Sequence, residues 1–188
     1  MNKPKLLQSL TPTDLSVLGF YIFLTIMNLV FMNRVPEWGL LILVNLHVMA
    51  AVIYIANAHR KNNSIIIRQI HYWYPAPLIL LTFKELYLMI KPIRGIDYDT
   101  TLIAIDQWIF GTDPTHALYA IAHPVLTEFL QIVYATFYFL PMILAMELVR
   151  RKMYKEAQYT IFATVYGFFV SYIGYFLVPA IGPRFTLH

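Results

Sequence analysis

Five long apolar runs dominate the hydrophobicity pattern of the chain, and short polar segments separate them. In chain order they cover Leu15–Met32, Trp38–Ala58, Tyr74–Ile90, Pro124–Val149 and Ala157–Val178. Each run is close to the ~20 residues that an α-helix needs to cross the hydrocarbon core of a bilayer. The pattern therefore predicts an all-α fold, a polytopic transmembrane helix bundle of about five spans.

The composition supports a membrane protein. Of 188 residues, 59% are hydrophobic and only 13% are charged, whereas a soluble domain is about half apolar and about a quarter charged. The first apolar run is too long for a signal peptide and lacks a small-residue cleavage site after it. Thr11 followed by proline and Asp14 is instead typical of a helix start. We find no internal repeat or long linker, so residues 1–188 are expected to form a single membrane domain.

Charge placement predicts the orientation of the bundle. Segments 1–14, 59–73 and 150–156 hold nine basic residues, and the loops on the opposite side hold four. By the positive-inside rule, the amino terminus is expected in the cytoplasm. Five spans then place Arg184 outside. Within the second basic segment, Ile65–Ile70 is predicted to form a short interfacial helix.

The largest outer segment, residues 91–123, predicts two short amphipathic helices on the outer membrane face. Asp97 or Asp99 can cap the first of them, and Gly111 would end it. Asp113, followed by proline, starts the second. His116 and His123 of the second helix are interpreted as interfacial side chains and not as a metal or acid–base pair.

Two adjacent ionisable residues, Lys84 and Glu85, lie inside the third apolar run. Such residues are costly within a membrane and are functional by default. Neighbours in a helix point about 100° apart, so they cannot form a simple i,i+4 pair. Two interpretations stay open: Lys84 reaches toward a phosphate pocket, or it pairs with Glu128 of the fourth run and holds two helices together.

The last two runs carry one unusual face each. The fourth run has a polar stripe at helical spacing, formed by Thr127, Gln131, Tyr134 and Tyr138. It suits a headgroup cavity or a packed helix interface. The fifth run has a seam of small residues, formed by Ala163, Gly167, Ser171 and Gly174. Small residues let two membrane helices approach closely, so the seam predicts packing.

The fifth run leads directly into a proline-rich turn that presents an arginine at the membrane face. Pro179 and Pro183 end the helix and stiffen the turn. Gly182 lets the backbone pass close to a ligand. Arg184 brings a permanent planar cation with several donors, which suits a phosphate group.

Three stretches carry a resemblance to a known family. They are Phe83–Tyr87, Ile105–Pro114 with its Phe-Gly pair, and Gly174–Arg184. In this order they resemble the type 2 phosphatidic acid phosphatase superfamily, in particular the branch similar to inositol phosphorylceramide synthases. The resemblance implies a metal-independent phosphohydrolase or phosphotransferase, without cofactor, that acts on lipid phosphates at the extracytoplasmic face.

The resemblance also assigns roles to particular residues. Arg184 and Gly182 would bind the phosphate, with Lys84 as a further candidate. Three acidic residues would support the site: Glu85, Asp106 and Asp113. The wider superfamily has a lysine seven residues before the arginine, and Leu177 takes that position here.

The catalytic histidines of the superfamily belong to two later motifs, and neither motif occurs in these residues. The chain thus resembles the amino-terminal part of a longer domain and is expected to hold no catalytic residue itself. The missing carboxy-terminal half in cis, or a partner chain, would supply the chemistry. The alternative is a non-enzymatic membrane protein that binds a phosphorylated lipid headgroup or a partner membrane subunit. Both hypotheses involve membrane lipids, and neither involves nucleic acid.

Overall fold

The computed structural model describes residues 9–62 and 64–182. Over these residues the chain forms eight α-helices and no strand, which confirms the all-α prediction. The helices are α1 Pro12–Val30, α2 Trp38–Lys61, α3 Ile65–Trp73, α4 Pro75–Arg94, α5 Asp99–Phe110, α6 Pro114–Tyr119, α7 Pro124–Arg150 and α8 Tyr154–Leu177.

Four of the helices that the structure describes are long and apolar enough to cross a membrane: α1, α2, α7 and α8. They coincide with four of the five predicted runs to within a few residues. The third run is α4, a 20-residue helix with Lys84, Glu85, Lys91 and Arg94 in its sequence. Helix α4 is not among the four helices that are apolar enough to cross a membrane, so the fifth span stays a prediction.

The contacts of α4 with α1 support that fifth span. The Tyr74 hydroxyl, just before α4, lies 2.6 Å from Asp14 at the start of α1. Arg34, just after α1, donates to the carbonyl oxygen of Ile93 at the end of α4, at 2.9 Å. The two helices thus run parallel over their whole lengths, and α4 extends through the same depth as α1.

Local sequence signals account for several helix ends. Thr11 and Asp14 form the predicted capping box at the start of α1, where the Thr11 amide donates to the Asp14 carboxylate at 2.7 Å. Gly111 ends α5 in the left-handed conformation, as expected, with φ of 69°. The predicted cap of α5 by Asp97 or Asp99 is wrong, because Tyr98 takes the N-cap position and Asp99 is the first helical residue.

An aromatic core joins α1 to α8. The rings of Phe20 and Phe169 stack with centroids 4.3 Å apart, and Phe23 meets Phe176 edge-on at 5.7 Å. Offset or edge contacts of this kind are favourable beyond the area that they bury. The later residue of α1, Phe23, meets the later residue of α8, Phe176. The two helices therefore run in the same direction.

A polar cluster lies at the centre of the bundle. The Glu85 carboxylate on α4 accepts hydrogen bonds from the side-chain amides of Asn28 on α1, at 3.0 Å, and of Asn45 on α2, at 2.8 Å. All three side chains are buried. The cluster therefore ties three helices together where the surrounding side chains are apolar.

The helix α7 is largely uncovered in this chain. Of its residues only Ala145, in its second half, is buried. The polar stripe is exposed, and the hydroxyl oxygens of Tyr134 and Tyr138 lie 3.2 Å apart, while the Tyr138 ring stacks on Phe168 of α8 with centroids 6.3 Å apart. The small-residue seam of α8 is exposed as well, and three of its residues, Ala163, Gly167 and Ser171, line a cleft of about 580 Å³ beside α4 and α7. Within the described chain no helix covers the seam, so the predicted close packing on it stays a prediction.

The open seam leads to a stability prediction. We expect Gly167→Ala to raise the stability of this chain by up to about 1 kcal/mol, because alanine favours a helix over glycine. An added Cβ at Gly167 meets no atom within 4 Å. Thermal unfolding in detergent, followed by circular dichroism, measures the change. A clear loss of stability would instead reveal a helix that packs on the seam.

Candidate functional site

The candidate phosphate loop follows α8 and comprises residues 178–182 in the described part of the chain. Helix α8 ends at Leu177, two residues before Pro179. The residue before a proline avoids the helical conformation, which explains why the helix stops here. Gly182 has φ of 100°, a backbone conformation that side chains rarely allow. The loop thus takes a shape that its proline and glycine dictate.

Asp99 holds the end of this loop. Its carboxylate accepts hydrogen bonds from the backbone amides of Ile181, at 2.9 Å, and Gly182, at 2.8 Å. The residue is only 7% exposed. Hydrogen bonds to an ionised acceptor are about twice as strong as those between neutral groups. The loop is therefore fixed to the first turn of α5, more than eighty residues earlier in the chain.

Two further contacts attach the start of the loop to the same place. The Tyr98 amide donates to the carbonyl oxygen of Pro179 at 2.9 Å. Arg94 donates to the carbonyl oxygen of Leu177 at 3.0 Å. This carbonyl is at the end of α8, where unpaired oxygens and the helix dipole favour a cation. The junction between α4 and α5, residues 94–99, thus supports the whole loop.

The hydrogen bonds from Ile181 and Gly182 lower the pKa of the Asp99 carboxyl below its ordinary value of 3.8. A carboxyl with a lowered pKa in the folded protein stabilises the fold above its ordinary pKa, and this effect disappears as the pH falls through the lowered value. The contact between Asp99 and the loop is therefore complete at neutral pH and weakens only in strong acid.

The structure does not bring the predicted phosphate-binding residues together within the described part of the chain. Arg184 and Pro183 lie outside the described residues. The Gly182 amide is engaged by Asp99. Lys84 is exposed on α4 and forms no ion pair with Glu128, which is also exposed, so the proposed pairing of the two helices is absent. Lys84 precedes Arg94 by ten residues, roughly 15 Å along a helix axis, and the structure does not bring it to the loop.

None of the three predicted supporting acids contacts the loop within the described part of the chain. Glu85 faces the amides of α1 and α2 in the bundle centre. Asp106 is exposed on α5. Asp113 caps α6 by accepting from the Thr115 amide at 2.9 Å. Sequence reasoning missed Asp99 as a site residue and treated it only as a possible helix cap.

Among the described residues, His116 and His123 have no partner in common. His123 is the N-cap of α7, and its Nδ1 atom accepts from the Val125 amide at 3.3 Å. His116 is an exposed residue of α6. The structure therefore does not bring the two histidines together as a pair, and their interfacial location stays a prediction.

Comparison with known families gives a match to part of the chain. The model of the PAP2 superfamily matches residues 100–188, which begin within α5 and include the candidate phosphate loop. No curated protein and no solved structure matches the chain. The carboxy-terminal part of this chain is thus similar to the superfamily that the sequence stretches resemble, whereas Arg94 and Asp99 lie just before the matched residues.

Proposed function

We propose that this chain is the amino-terminal part of a membrane-embedded lipid phosphatase or phosphotransferase, and that residues 1–188 form a single membrane domain of it. The observation that carries the proposal is the match of residues 100–188 to the PAP2 superfamily, which includes the loop that leads to Arg184. The attachment of this loop to residues 94–99 supports it, because a phosphate site needs a fixed frame. We place the chain in the branch similar to inositol phosphorylceramide synthases because of Leu177 and the Phe110-Gly111 pair.

Phosphoryl transfer spreads negative charge over the oxygens of the transferred group and needs a nucleophile held in line with the leaving oxygen. Arg184 can stabilise that charge by a bidentate contact. The nucleophile and the proton donor would come from the histidine motifs of the carboxy-terminal half, in cis or in a partner chain. The chemistry of Arg184 uses no cofactor, and the substrate would be a membrane lipid phosphate.

We also propose that the loop is extracytoplasmic and the amino terminus cytoplasmic. The bundle contacts support this orientation, because they gather the basic segments at one end. There Ser9 meets Asn57, and the Arg68 guanidinium lies 5.8 Å from the Tyr154 ring centre. Arg94 and the loop lie at the other end, which carries fewer basic residues. By the positive-inside rule, the end with more basic residues faces the cytoplasm.

The proposal is tested on the natural full-length protein, in lipid vesicles with a chelator and no added metal. We expect phosphate release from phosphatidic acid, or transfer to an alcohol acceptor. Arg184→Ala should lower kcat/KM by about 100-fold or more, since loss of one group that stabilises transition-state charge costs that much. Lys61→Ala, an exposed cation at the opposite end of the bundle, is the control and should keep wild-type activity.

Two results would contradict the enzyme proposal. Undiminished turnover in the Arg184→Ala variant would remove the role of the arginine. Lipid-phosphate binding without turnover in the full-length wild-type protein would favour the alternative, a non-enzymatic membrane protein. The exposed faces of α7 and α8 suit that alternative too, because a partner membrane subunit could cover them.

A further inference from the structure

We infer that Asp99 is a positioning residue of the proposed reaction, which holds the backbone of Ile181 and Gly182 just before Arg184 in the sequence. This inference rests on the proposed function. It adds a residue that lies before the matched segment 100–188.

The geometry requires a carboxylate at this position. The amides of Ile181 and Gly182 are adjacent in the chain, and each donates to a different oxygen of Asp99. An asparagine offers one acceptor oxygen, and its NH2 group would face the second amide as a donor. A neutral side chain of the same shape therefore loses at least one of the two bonds.

Asp99 acts on the end of the loop, while other contacts hold its beginning. Tyr98 and Arg94 bind the carbonyl oxygens of Pro179 and Leu177. These bonds use the backbone amide of Tyr98 and the side chain of Arg94, and a change at Asp99 leaves both groups in place. The loss of Asp99 should thus free residues 181 and 182 without detaching α8 from α4.

The backbone amides of Ile181 and Gly182 both donate to Asp99, so their role is to hold the loop. A backbone amide that donates to a buried carboxylate cannot donate to a substrate oxygen at the same time. Recognition of the phosphate would therefore rely on a side chain, and the predicted one, Arg184, follows Gly182 by two residues in the sequence. Misplacement of a catalytic group by about 1 Å can cost about 100-fold in rate.

The experiment compares Asp99→Asn and Asp99→Glu with the control Asp97→Asn in the natural full-length protein. Asp97 is an exposed acid two residues away, so its variant has the same change of charge. We expect Asp99→Asn to lower kcat for phosphatidic acid by about 100-fold, with a smaller change in KM and a melting temperature that stays well above the assay temperature. Asp99→Glu keeps the charge and should recover part of the rate. Asp97→Asn should behave like the wild type.

Hydrogen–deuterium exchange of the peptide that contains Ile181 and Gly182 gives a readout independent of activity. Protection should be lost in Asp99→Asn and kept in Asp97→Asn. Wild-type kcat, retained protection, or a rate loss caused by a melting temperature near the assay temperature in Asp99→Asn would each overturn the inference. If the wild-type protein is inactive, the proposed function and the positioning role fail together, and exchange still decides whether Asp99 holds the loop.

Discussion

Replacing Asp14 with alanine is expected to destabilise the folded chain by about 3–5 kcal/mol, because it leaves two donors, His71 and Tyr74, without their acceptor, and each buried donor without a partner costs about 1–3 kcal/mol. Asp14 is 0% exposed. Its carboxylate accepts hydrogen bonds from His71 Nε2 at 3.0 Å and from the Tyr74 hydroxyl at 2.6 Å. It also bonds to Thr11 in the capping box. One side chain thus joins the start of α1 to α3 and to the start of α4.

The measurement is unfolding in detergent, followed by circular dichroism as denaturant is added. Asp14→Asn keeps the size of the side chain and part of the cap, so it should lie between wild type and Asp14→Ala. Ser16→Ala is the matched control on the same helix turn, because Ser16 is only partly buried and its hydroxyl donates to the Pro12 carbonyl oxygen of its own helix. A loss below about 1 kcal/mol for Asp14→Ala, the range of surface pairs, would show that the cluster contributes little to stability.

The helices themselves could be predicted from the sequence because their signals are local. An apolar run long enough to span a bilayer indicates a helix whatever its neighbours are. The capping box at Thr11 and the glycine at 111 each involve residues within one helical turn. For this reason the predicted and observed ends agree to within a few residues. Helix α3 extends three residues beyond its predicted end at Ile70.

Contacts between distant residues could not be predicted in the same way. Asp99 could equally have capped its own helix, and nothing near it in the chain indicates its bond to Gly182. Asp14 was recognised as an early acid of α1, while its partner His71 is 57 residues away. Lys84 and Glu85 are both ionisable residues inside an apolar run, so the sequence does not distinguish them. Helix packing decides that the lysine is exposed and the glutamate is buried. Pairing across a bundle depends on helix rotation, which the apolar pattern of these runs does not fix.

The buried glutamate leads to the second large expected effect. We expect Glu85→Ala to destabilise the chain by about 2–4 kcal/mol. The substitution leaves the side-chain amides of Asn28 and Asn45 without their acceptor, and a buried donor without a partner costs about 1–3 kcal/mol. The Asn28 amide keeps a bond to the Leu24 carbonyl oxygen at 3.1 Å, so Asn45 should account for more of the loss. Unfolding in detergent gives the change in free energy.

A glutamine at this position separates the hydrogen bonds from the charge. Both asparagine amides donate to the same oxygen of Glu85, and the side-chain oxygen of glutamine can accept the same two bonds. Glu85→Gln should therefore stay within about 1 kcal/mol of the wild type. Lys84→Ala, the exposed neighbour, is the control and should have a smaller effect still. If Glu85→Gln destabilised the chain as strongly as Glu85→Ala, the negative charge would be required, and a cation would have to lie beside the cluster.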